Sequence, residues 1–370
     1  MSDERWDIVP ESDILSLAGT EARIYRTPSA SHVLGPDAYI VIAEPGDRPD
    51  GTAVQDRQFL NLAGPFPDEV NAYLYNDLQA MGRRTAAARS ALHGFVRLQE
   101  GCLPLGPLRA CGGTYEPHEE RLVEYRLGLE HALPFDVLDR VRPLLPAPPP
   151  PRTTWLELLP DEPVAATRKF VTDWYADVPP AESHNEVPQV PIPPPLAAFY
   201  ATAAGRKEIL GRQDPLFPPH ELCLDKDGWL EFGAENQGGF VLSVDPTATD
   251  PAVLYRYWAV EPDTDPIDPH PLSTFLLLYA LYEASFAGPY HAYANLTTEE
   301  AQQLTHGLRR VPLRNRWFPS TDTEFHVGNG VVAQLTPLEN GTWYTFTSAR
   351  HRAHLEPLRH LDIRWGTFQG

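Results

Sequence analysis

The feature that most restricts this chain is Pro146-Ala147-Pro148-Pro149-Pro150-Pro151. Proline fixes φ and has no N–H to donate, so such a run can be neither a helix interior nor an inner strand, and it favours an extended, semi-rigid conformation. It predicts a boundary, with an N-terminal α/β domain over 1–145, a proline-rich linker over 146–152 and a second domain over 153–370. A length of 370 residues is enough for two cores. The run reads first as a spacer; the alternative is a proline-rich ligand for an SH3-like domain.

Before the boundary, Arg23 to Tyr25 and Ala38 to Ala43 read as strands, being β-branched and aromatic runs between turn formers. Pro67-Asp68-Glu69 opens a helix in which Val70, Tyr73, Leu74, Leu78 and Met81 form one stripe, and helical composition continues to about Leu92. The glycine- and proline-rich stretch Gly101 to Gly113 predicts a loop, Leu122 to Leu129 a strand and Asp136 to Leu145 a helix. Nothing in these residues points to a particular chemistry.

Beyond the boundary, a helix is expected over about Asp161 to Tyr175, and Pro193 to Pro195 suit a helix's first turn. Asp227-Gly228 predicts a tight hairpin joining Glu221–Leu224 to Trp229–Phe232, and Phe240, Leu242 and Val244 alternate as a half-buried strand does. Between them lies Ala234-Glu235-Asn236-Gln237-Gly238-Gly239, a polar corner that no packing argument requires. Ser273 reads as the cap of an almost wholly apolar helix through Phe286. Thr297 to Glu300 reads as a capping box with Leu296 as its staple. Phe325 to Val327 and Val331 to Leu335 predict strands, Asn340-Gly341 a turn, and Ser348 to Leu361 a basic closing helix.

Composition narrows the function classes. Fifty acidic against thirty basic side chains give a formal charge of −20, which disfavours binding to nucleic acid or an anionic membrane and suits a basic protein partner. Three cysteines without a C-x-x-C pair support neither a disulfide framework nor a zinc ribbon, and the acidic N-terminus is unlike a signal peptide; a cytoplasmic setting is expected. His351 and His354 stand one helical turn apart, but a zinc site needs a third ligand, and no such motif accompanies them. Glu235 beside Asn236 and Gln237 could be a general acid, a binding loop or a structural loop, yet it has no partner carboxylate at readable spacing. No cofactor, metal or catalytic constellation is expected.

The order of pieces from LFPPHELCLDKDGWLEFGAENQGGFVLSVD through DPAVLYRYW to LSTFLLLYALYEASF resembles the SUKH superfamily over roughly Trp155 to Trp365. This family contains the Smi/Knr-type regulators of fungal cell-wall synthesis and bacterial relatives implicated as immunity proteins. The chain departs from the pattern where a tryptophan usually follows E-N-Q-G, since Gly239-Phe240 stands here. The resemblance implies an α+β fold with a SUKH-like antiparallel sheet packed against helices. It implies a non-enzymatic immunity protein that neutralises a toxin by occlusion; the alternatives are a cytoplasmic regulatory scaffold, or an enzyme hidden in residues 1–145. The expected contact surface is Trp229, Phe232, Glu235, Asn236, Gln237, Gly238 and Phe240.

Overall fold

The computed structural model describes residues 6–46, 56–81, 91–116, 118, 120–142, 146–181, 188–257, 267–313 and 322–370. The fold class is α+β, and the chain divides into two compact units at Leu145/Pro146.

The first unit contains α1 (Glu11–Ser16), β1 (Arg23–Arg26), β2 (Ala30–Leu34), β3 (Ala38–Ala43), β4 (Phe59–Ala63), α2 (Asp68–Met81), β5 (Ala91–Leu98), β6 (Gly101–Glu116), β7 (Arg121–Leu129) and α3 (Phe135–Val141). The strands form one sheet in the order β1-β2-β3-β5-β6-β7-β4, parallel only between β3 and β5. Every residue of β3 is buried because both sheet faces are covered. Tyr39 and Val41 join the core that holds Val70 and Leu74 of α2, while Ile40 and Ile42 join Ile14 of α1.

Two expectations fail here. Gly101 to Gly113 is not a loop but most of the longest strand, β6. Its prolines are accommodated beside register shifts, and two of its glycines admit close neighbours: a Cβ on Gly101 would stand 2.8 Å from Val9 O, and one on Gly113 3.0 Å from Glu124 O. Helical composition also misleads at Ala91 and Leu92, which open β5; residues 82–90 lie outside the described residues.

The second unit begins with α4 (Pro163–Trp174) and α5 (Pro194–Ala203). Next come β8 (Cys223–Leu224), β9 (Leu230–Ala234), β10 (Phe240–Val244), β11 (Ala252–Tyr257), β12 (Ile267–Pro271) and α6 (Leu272–Ala287). The remainder is β13 (Tyr290–Leu296), α7 (Thr298–Thr305), β14 (Arg309–Arg310), β15 (Glu324–Gly328), β16 (Val331–Pro337), β17 (Trp343–Ala349), α8 (Arg352–Leu355) and β18 (Thr367–Phe368). The β8–β10 sheet is continued by β11 and β12, but the strands after α6 stand apart from it. One antiparallel sheet runs β12-β11-β10-β9-β8, and a separate one runs β14-β15-β16-β17-β13-β18.

The reason is α6, which is apolar on every side and must be covered on every side. Phe275 meets Phe232 of the five-stranded sheet at 6.2 Å, while Phe286 meets Phe346 of the six-stranded sheet at 4.6 Å. Ser285 Oγ donates to Gln334 Oε1 at 3.0 Å on that second side. The helix is not capped by Ser273. Asp250 is the acceptor, its Oδ1 taking the Ser273 N–H at 2.9 Å and its Oδ2 the Ser273 hydroxyl at 2.6 Å. The capping box of α7 forms as read, with Thr297 N–H donating to Glu300 Oε2 at 2.6 Å and Glu300 N–H to Thr297 Oγ1 at 3.2 Å.

The C-terminal helix is much shorter than expected. The chain stays in β17 to Ala349, and α8 gives way to a 3-10 turn at Glu356–His360, where Pro357 removes a donor. Two of its basic side chains, Arg352 and His354, are buried.

Candidate functional site

The polar corner is a tight turn closing β9 onto β10. Glu235 N–H donates to Phe240 O at 3.0 Å, and Gly238 N–H donates to Glu235 O at 2.9 Å. Gly238 takes φ +77°, a conformation that favours glycine. Glu235 Oε2 accepts the N–H groups of Gln237 and Gly239, each at 2.9 Å. The carboxylate is thereby committed to its own loop, where it organises the backbone. Asn236 and Gln237 project outward, exposed, and their side-chain amides make no hydrogen bond among the described residues.

Support for the turn reaches back to α6. Glu283 is buried, and its carboxylate accepts N–H groups from Arg212 at 2.7 Å, Gln213 at 3.1 Å and Asp214 at 2.9 Å. Pro215 O then accepts from Ala234 N–H at 3.2 Å, the residue directly before Glu235. A helix carboxylate thus fixes a loop, the loop fixes the end of β9, and β9 fixes the turn. Tyr282 stands close enough to sense this acidity: burial first, then Asp214, Glu283 and Glu235, push its hydroxyl pKa upward.

Two of the expected contact residues have no surface to offer. Phe232 is 0% and Phe240 1% exposed, because both point from the sheet into the core around Phe275 and Tyr255. A third belongs to a different place. Trp229 lies before β9 and the Glu235–Gly239 turn after it, so about 16 Å of strand separates them. Asp225 Oδ1 accepts the N–H groups of Asp227 and Trp229 at 2.8 and 2.9 Å, and Arg256 pairs with Asp225 while lying 5.3 Å from the Trp229 ring centre. The expected patch is therefore two loops at opposite ends of one strand. Glu235, Asn236, Gln237 and Gly238 stay together at one of them.

Sequence reasoning missed Arg256 and Glu283. Glu283 was readable in principle, since a lone carboxylate within a fully apolar helix must find donors inside. The histidine pair is also engaged separately. His351 Nδ1 accepts Ala353 N–H at 3.2 Å, and His354 Nε2 donates to Pro148 O at 2.8 Å. No group of three or more potential metal ligands occurs among the described residues, and no helix among them is long and apolar enough to cross a membrane.

The arrangement can present fixed hydrogen-bonding groups, since the Glu235 carboxylate is occupied and has no facing nucleophile or second acid in the turn. Compared with known protein families, curated proteins and solved structures, the chain matches none of them.

Proposed function

We propose that this chain is a SUKH-like cytoplasmic binding protein of the immunity type, which neutralises a toxin by occluding it and performs no chemistry of its own. One observation carries the reading: the Asn236 and Gln237 amides are exposed and unused on a backbone that Glu235 already holds rigid. A backbone fixed before binding leaves only the side-chain rotamers to be ordered, which lowers the entropic cost of an occluding contact. The formal charge of −20 would speed association with a basic toxin domain, and salt would screen the effect. The succession of α5, the β8–β9 hairpin, the E-N-Q-G turn, β10 and α6 supports the family resemblance in its order of elements.

The test begins with the neighbouring reading frame, whose product is co-expressed and co-purified with this protein. Given a complex, Asn236→Ala with Gln237→Ala should weaken it at least tenfold and leave the melting temperature unchanged. A change below twofold places the contact elsewhere. If the native host yields no stoichiometric toxin complex, the regulatory scaffold replaces the immunity reading.

A further inference from the structure

The proline run is not a free tether. Ala147, Pro148, Pro149 and Pro150 each precede a proline, which disfavours the helical region for all four and leaves polyproline II geometry. The second unit then pins this rod at two points. Pro148 O accepts from His354 Nε2 at 2.8 Å, and the His354 ring lies over Gly330, where an added Cβ would stand 2.3 Å from the imidazole Cγ. Just past the run, Thr153 O and Oγ1 both face Arg309 Nη1, at 3.5 and 3.3 Å. A spacer needs neither anchor.

Polyproline II repeats every three residues, so Pro146, Pro149 and Arg152 share one side of the rod while Pro148 and Pro151 share another. The contacts fall on the second side. Pro151 is half-buried beside Trp155 and Pro148, although exposed, is held through its carbonyl, whereas Pro146, Pro149 and Arg152 are exposed and no hydrogen bond holds them among the described residues. Arg152 has no hydrogen bond or ion pair among the described residues.

We propose that Pro146 to Arg152 is a preorganised ligand for an SH3-like domain, whose aromatic groove would take Pro146 and Pro149 and whose acidic rim would take Arg152. Prolines spaced as P-x-x-P dock in aromatic-lined grooves because little conformational entropy remains to be lost, and the two anchors reduce that loss further. The guanidinium adds a fork suited to a carboxylate. The anchor at Pro148 uses only its carbonyl, so the binding side keeps its rings free.

The experiment titrates the full-length protein into an isotopically labelled SH3 domain of known P-x-x-P preference and follows its amide shifts. Saturable shifts at the aromatic groove are expected. Pro146→Ala with Pro149→Ala should weaken binding at least tenfold, and Arg152→Glu at least fivefold, with unchanged melting temperatures because all three side chains are exposed. The proposal is overturned if no shift appears at millimolar protein, or if the proline double variant binds as the parent does.

Discussion

The Glu283 carboxylate lies 2.7 Å from the amide nitrogen of Arg212, and this contact joins the most apolar helix of the chain to an irregular loop. Three N–H groups share the carboxylate, so Glu283→Ala strands three donors in a buried site. The expected loss is on the order of 4 kcal/mol in urea unfolding, with about half that for Glu283→Gln, which keeps one acceptor oxygen. A loss under about 1 kcal/mol for the alanine variant would show that the loop holds itself.

Gly211 tests the same joint by sterics. It has φ +92°, and an added Cβ would lie 1.9 Å from the Tyr279 hydroxyl oxygen. Gly211→Ala should lower the melting temperature clearly. Adding Tyr279→Phe should restore part of the loss, since it removes the clashing atom but leaves the backbone strain and a Leu210 carbonyl without its donor. Full restoration would mean that the positive φ costs nothing.

His32 makes the first unit sensitive to pH. Its ring is fully buried, with Nδ1 2.7 Å from the Tyr39 hydroxyl and Nε2 3.3 Å from Thr27 Oγ1, and burial lowers its pKa to about 4. Neutral histidine is the form that the fold accepts. Its contribution is complete above the unfolded pKa near 6.5, is lost as pH falls from there to about 4, and amounts to roughly 3 kcal/mol. Asp56, whose carboxyl pKa burial raises, acts in the opposite sense as pH falls. The informative quantity is therefore parent minus His32→Gln, measured by denaturant midpoints at pH 7 and 4.5. That difference should shrink at the lower pH; a pH-independent difference would contradict the assignment.

The two kinds of residue at the candidate site should separate cleanly. Phe240→Ala empties core volume and should cost about 3–5 kcal/mol, whereas Gln237→Ala should change stability by less than about 0.5 kcal/mol. Glu235→Ala should speed hydrogen exchange at the Gln237 and Gly239 amides with little effect on global unfolding. Unchanged exchange there would deny Glu235 its organising role.

What was legible in the sequence was local. The alternation in β10, the stripe of α2 and the Thr297–Glu300 box each depend on residues within a few positions of one another. What was not legible depends on distant partners. Asp250 caps a helix that begins 22 residues later, and β6 tolerates its prolines and glycines because of what lies across from them. Turn chemistry was half legible. Asp227-Gly228 and Asn340-Gly341 do mark hairpins, but only the glycines take positive φ, in three-residue loops closed by Asp225–Trp229 and Leu338–Thr342. In the Asn329-Gly330 turn between β15 and β16 both residues do so. At the site, the sequence located the polar corner but not which side chains were free, because Glu235 turns back on its own backbone.

The position of α6 between two sheets sets how the second unit can be divided. A fragment ending before Leu272 would leave Phe232 and Leu242 facing water, and one beginning after Ala287 would do the same to Val332 and Phe325. Neither sheet owns a core of its own on that side. Although each sheet has complete strand pairing, the two are halves of one cooperative element, so limited proteolysis within 272–287 should remove both together and leave no trimmed, stable piece of either.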